Sequence, residues 1–146
     1  MTALAVALAC VLLVLAGLHA YWGLGGVWPG NDAASCARTV AGFQGVDAMP
    51  GPIASFAVAA ALCFSATVAL VLGGVIASPF PFFVLGPAAL FITLVFLGRG
   101  VVGFTPAWRR LTPEMPFARL DRLYYSPLCL LIGAAFFTLG IRGFSA

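Results

Sequence analysis

Lysine is missing from this chain altogether, and histidine occurs once, at position 19. Charged residues make up only 8% of the 146 positions, and all seven basic ones are arginines. A water-soluble domain typically has about 25% charged residues, so a dispersed globular fold is excluded. The formal net charge is only +3, which is no basis for nucleic-acid binding, a process driven by clusters of Lys and Arg on phosphates. Cysteine pairs are lacking too. Cys10, Cys63 and Cys129 lie in apolar runs, only Cys36 lies in a loop, and no CxxC or Cys/His ligand spacing occurs. That argues against a thiol relay and against a metal centre, and leaves the cysteines as small apolar space-fillers.

What the chain has is apolar length: 63% of its residues are hydrophobic and its mean hydropathy is +1.13. A bilayer core of roughly 30 Å needs about 20 residues of helix. Four segments qualify, at residues 2–23, 53–77, 82–104 and 120–142. Because backbone polar groups in lipid must be satisfied internally, these segments predict an all-α polytopic membrane protein, a single four-transmembrane-helix bundle over residues 1–146. The segment after Met1 lacks the basic start and small-residue cleavage site of a signal peptide, so it is read as the first helix. The first loop, 24–52, is long, the second connection is a tight turn through Ser78, Pro79, Phe80 and Pro81, and the third runs from Thr105 to Arg119.

Loops one and three hold Arg38, Arg109, Arg110 and Arg119, with Arg99 and Arg122 at their edges, whereas the opposite face has only Arg142. The positive-inside rule therefore places loops 24–52 and 105–119 in the cytoplasm and both termini outside the plasma membrane. All three tryptophans (Trp22, Trp28, Trp108) and all three tyrosines (Tyr21, Tyr124, Tyr125) fall at the loop-bearing face. An ordinary aromatic belt decorates both interfaces. Two readings fit the bias: one-sided anchoring, or a polar-lined cavity opening at this end.

Polar side chains converge at the same depth. At 100° per residue, Ala5, Ala9, Ala16 and Ala20 form a small-residue stripe on the first helix, and His19 lies beside it, facing the bundle or a subunit partner. Trp22 is slightly further round and Tyr21 is opposite. On the third helix, Arg99 lies about five residues before the break at Thr105-Pro106 and requires an anion. The fourth helix supplies Asp121 in DRLYYSPLCL, where Tyr124 and Tyr125 follow at i+3 and i+4 on one face. Ser126-Pro127 could cap and start that helix, but only about 24 Å would then remain to Arg142. A helix starting near Leu120 and kinked at Pro127 spans better. In the first loop, Pro29-Gly30-Asn31-Asp32 is a helix-start signal, AASCARTVA continues it and Gly42 ends it, making a candidate lid. Gly25-Gly26 is a flexible helix exit without the strand and helix context of a phosphate-binding loop.

HAYWGLGGVWP at the first helix exit, FLGRGVVGF at the third and FARLDRLYYSPLCLLIG leading into the fourth resemble family 3995 of the domains of unknown function, small bacterial membrane proteins. The resemblance covers nearly the whole chain, and the last stretch is its most specific part. It implies four membrane helices and brings no established activity.

Function is therefore read from the cluster. One hypothesis is a membrane protein that binds or transforms a lipid, quinone or isoprenoid-like molecule by proton-transfer isomerisation or cyclisation. His19 would be the acid/base, Asp121 its orienter or the partner of Arg99, and Tyr124 or Tyr125 a proton donor. Trp22, Trp28 and Ser126 would line the ligand site. A second class is a non-catalytic structural or accessory subunit, including a homo-oligomer packed through the alanine stripe. Haem binding through His19 is a lesser alternative, because one imidazole supplies one ligand. No cofactor is indicated, and whether the protein is an enzyme is left open.

Overall fold

The computed structural model describes residues 1–78 and 81–144, and among these it contains helices and no strands. Helix α1 covers Thr2–Gly23, α2 Ala33–Val40, α3 Pro52–Leu72, α4 Phe82–Val102, α5 Pro106–Leu111, α6 Phe117–Leu120 and α7 Ser126–Phe144. A π-helical turn, Asp121–Tyr125, fuses α6 to α7. Four helices are long and apolar enough to cross a membrane: Thr2–Gly23, Pro52–Leu72, Phe83–Val102 and Phe117–Ile141. Pro79 and Phe80 of the expected second turn, and the side chain of Arg142, lie outside the described residues.

Span ends follow local chemistry. Helix α3 stops at Leu72, short of the expected 77, because Gly73 and Gly74 end it and Gly74 adopts φ +68°. A left-handed residue of this kind closes a helix at least cost when it is glycine. Pro52 and Pro106 open α3 and α5, at positions where a missing N–H costs nothing. Asp32 caps α2 by accepting from the Ser35 amide at 2.7 Å, and the Asp32 amide donates in return to the Ser35 hydroxyl oxygen at 3.1 Å.

The fourth span neither starts at Pro127 nor simply kinks there. It begins at Phe117 and takes up one wide turn just before the proline, where the Ser126 amide donates to the Asp121 carbonyl five residues back. Such π-turns absorb an extra residue within a continuous helix.

Helices α1 and α3 pack lengthwise as one pair and α4 and α7 as a second, with sparser contact between the pairs. The core joins Ala5, Leu8, Leu12 and Ala16 of α1 to Leu62, Ala66 and Ala69 of α3, and reaches Ile92, Ile132 and Phe136 of the second pair. In lipid, where apolar burial against tails gains little, close contact through small residues holds helices together. On the α4/α7 seam, a Cβ at Gly100 would meet Leu130 at 2.6 Å, and one at Gly133 would meet Leu97 at 2.7 Å. Each leucine thus sits over a glycine of the facing helix.

Loops one and three meet at the end opposite the termini. The Gln44 amide donates to the Leu111 carbonyl (3.2 Å), the Glu114 amide to the Gly42 carbonyl (3.2 Å) and the Gly45 amide to Glu114 Oε1 (3.0 Å). The Tyr125 hydroxyl donates to the Thr39 carbonyl at 3.3 Å. Gly42, at φ +66°, lies against the Phe117 ring, where a Cβ would collide with it. This clasp joins the two helix pairs at what we call the mouth.

Candidate functional site

Asp121 is completely buried at the mouth end of the fourth span. Its Oδ1 accepts from Arg99 Nη2 at 2.7 Å and from the Ser126 hydroxyl at 3.1 Å. Its Oδ2 accepts from Trp108 Nε1 and Arg109 Nη2, each at 3.0 Å. Two carboxylate oxygens offer about four acceptor sites, so this carboxylate is saturated. The π-turn is what places Ser126, at i+5, over Asp121; regular α geometry would set i+3 and i+4 on that face.

The donors come from three elements. Arg99 projects from the last turn of α4 and also donates to Ser126 Oγ at 3.3 Å. Its guanidinium carbon lies 4.7 Å from the Trp108 ring centroid, a cation–π distance. Trp108 and Arg109 sit on α5, which Thr105 caps by accepting from the Trp108 amide. Arg109 further donates to the carbonyls of Ala118, at 2.6 Å, and Gly103. Gly103 is required here, because a Cβ would fall on Ser126 Oγ. The side chains of Arg99 and Arg109 are 31% and 24% exposed, and two cations on one anion leave the cluster with a surplus positive charge.

The other polar residues stand apart. His19 Nδ1 pairs with the Leu15 carbonyl of its own helix at 2.9 Å, and its ring meets Trp22 edge-on at 5.0 Å. Among the described residues, no hydrogen bond or ion pair ties His19 to Asp121 or Arg99. Trp22 Nε1 donates to the Trp28 carbonyl at 2.7 Å, and the Trp28 amide donates to the Tyr21 hydroxyl at 3.3 Å, which folds the α1 exit back on itself. Trp28 and Tyr124 are mostly exposed. Tyr125 turns inward against Phe117, with ring centroids 5.7 Å apart. Sequence reasoning put Tyr124 and Tyr125 on one face with Asp121; the wide turn separates them.

Trp108 and Arg109 are the members that sequence reasoning missed as ligands of Asp121. Their signal was the Thr105-Pro106 cap and helix start, which holds the next turn directly under the end of α4. No group of three or more His, Cys, Asp or Glu among the described residues is arranged to hold a metal ion.

Below the mouth, a cleft of about 480 Å³ opens sideways between α3 and α4. Its walls include Ala57, Ala61 and Phe64 of α3 and Phe91, Val95 and Phe96 of α4. Val95 and Phe96 precede Arg99 by four and three residues, a spacing that sets the three on one face of α4, with Arg99 one turn above the cleft's lining.

A family model for proteins of unknown function, DUF3995, matches residues 12–136. The chain belongs to this family. The match takes in every side chain of the Asp121 cluster, His19, the clasp and both walls of the cleft, and leaves out only the first half of α1 and the end of α7. No curated protein and no solved structure matches the chain.

Proposed function

We propose that the protein binds a lipid-soluble molecule of the lipid, quinone or isoprenoid kind, with its tail in the α3–α4 cleft and its polar head beneath Arg99. The observation that carries this reading is an apolar cleft whose α4 wall, Val95 and Phe96, ends one turn before Arg99, a cationic side chain that is 31% exposed. Bilayer-facing apolar pockets with one placed polar group suit ligands that enter sideways from the membrane. Binding is favoured over turnover. A general base needs a free lone pair; Asp121 already accepts four bonds, and His19, whose Nδ1 donates to the Leu15 carbonyl and leaves Nε2 as the free lone pair, has no hydrogen bond to that cluster. With loops one and three carrying most of the arginines, the positive-inside rule supports a cytoplasmic mouth in a bacterial plasma membrane.

Ala61 lines the cleft, so Ala61→Phe fills it without touching the ion pairs. Mass spectrometry of solvent extracts from detergent-purified protein should find a stoichiometric lipid-soluble molecule in the wild type and a severalfold loss in Ala61→Phe. Equal occupancy in both, or none in either, defeats the reading.

The saturation of Asp121 favours a second reading, a non-catalytic accessory subunit in which the cluster only fastens α4, α5 and α7. An empty, fully stable wild type would point there.

A further inference from the structure

Arg119 and Arg122 are two of the four mouth arginines, with Arg38 and Arg110, that the Asp121 cluster does not use. Both are exposed, and neither forms an ion pair among the described residues. They stand three residues apart on the α6 and π-turn surface, a spacing that brings side chains onto one helix face about 5–6 Å apart at Cβ. Together with Met115, Ala118 and Leu123 they line a shallow groove of about 600 Å³. Met115 and Leu123 are each more than half exposed. Ala118, Arg119, Arg122 and Leu123 fall within the first seven residues of the Phe117–Ile141 span and Met115 lies just before it, so the groove is at the height where that span enters the membrane.

Two uncompensated guanidiniums over exposed apolar side chains describe a ligand that is anionic on top and hydrocarbon below. We infer that this groove seats the phosphate of an anionic membrane phospholipid, the phosphodiester lying between Arg119 and Arg122 and the start of an acyl chain against Leu123 and Met115. Guanidinium forks match phosphate oxygens in geometry as well as in charge. A free phosphate would gain nothing from the two apolar residues. The site is separate from the α3–α4 cleft and does not depend on that cleft being occupied.

The test compares phosphatidylglycerol with phosphatidylcholine of identical chains, each titrated into detergent-purified protein and counted by native mass spectrometry. Wild type should retain the anionic lipid about thirtyfold better, the scale expected of two basic residues at an anionic surface. The Arg119→Gln/Arg122→Gln protein should fall to near parity. Arg110→Gln, an exposed α5 arginine outside the groove, should keep the preference, and so should Ala61→Phe, which separates this site from the cleft. As a measurement independent of any variant, the wild-type preference should shrink severalfold between low and high salt. A preference that survives the double substitution, is absent from the wild type or ignores salt overturns the assignment. So does displacement of the lipid by soluble glycerol 3-phosphate at equal concentration, which would identify a free-phosphate site instead.

Discussion

At Asp121, four donors from three different elements end on two oxygens, so removing this one carboxylate frees two guanidiniums at once. Asp121→Ala should lower stability by about 2 kcal/mol, below the usual loss for a fully buried pair because Arg99 and Arg109 keep some solvent. Arg99→Ala removes one of the two cations. In the double variant the losses should fall short of their sum by about 1 kcal/mol; thermal unfolding in detergent followed by circular dichroism measures the four proteins of this cycle, and strict additivity would contradict direct coupling. Asp32 gives a pH-dependent counterpart. The backbone and hydroxyl bonds from Ser35 hold its carboxyl below the ordinary value of 3.8, with Arg38 adding a smaller pull in the same direction. A depressed folded-state value stabilises α2 fully above the unfolded value, and that support is lost as pH falls below 3.8 through the folded value. The readout is Cys36, whose thiol is buried against α2 and is pushed upward by that burial. Pulsed labelling with an acid-tolerant thiol reagent should show Cys36 protected at neutral pH and opening progressively below about pH 4; Asp32→Ala should remove that pH dependence. The protection also revises a simple inference from sequence. Cys36, in the loop, is the fully buried cysteine, while Cys10 and Cys63 in the apolar spans are exposed on the bundle's outer surface.

Helix seams discriminate between glycines that look alike in the sequence. Gly98 and Gly100 are two residues apart on α4, yet a Cβ at Gly98 meets nothing within 4 Å, whereas one at Gly100 strikes Leu130. Gly98→Ala should therefore be neutral or stabilising by up to about 1 kcal/mol, the helix-propensity gain. Gly100→Ala should destabilise by about 1–3 kcal/mol through overpacking, and the same melting measurement separates them. Element existence was legible because four apolar runs and a proline or cap at several starts leave few alternatives. The partnership of Arg99 with Asp121 was legible too, since an arginine inside a span demands an anion and this stretch of chain supplied one. The wide turn was not. Its signature is a hydrogen bond from residue 126 to residue 121, and no periodicity in DRLYYSP encodes it. Without that turn, spacing alone puts Tyr124 on the Asp121 face and leaves Ser126 off it.

Across the whole molecule, the two helix pairs are bound more tightly within themselves than to each other, and the clasp at the mouth supplies much of the connection. Gly42 is the vulnerable point because its backbone is left-handed and its missing side chain makes room for Phe117. Gly42→Ala should cost about 1–2 kcal/mol from the backbone alone and more from the collision. It should also broaden the distance between spin labels placed at Ser35 and Arg110, measured by pulsed electron resonance; an unchanged distribution would mean the helix seams hold the mouth closed by themselves. Sequence alone had gathered the polar-tipped aromatics at this end but assigned His19 to the same cluster, because helical angles fix direction and not which neighbour a side chain finally meets. The aromatic asymmetry has an optical consequence. Trp22, Trp28 and Trp108 all sit at the mouth, so the intrinsic fluorescence of this protein comes from one end, and a quencher confined to one side of the membrane should dim it strongly or scarcely at all according to which way the molecule is inserted.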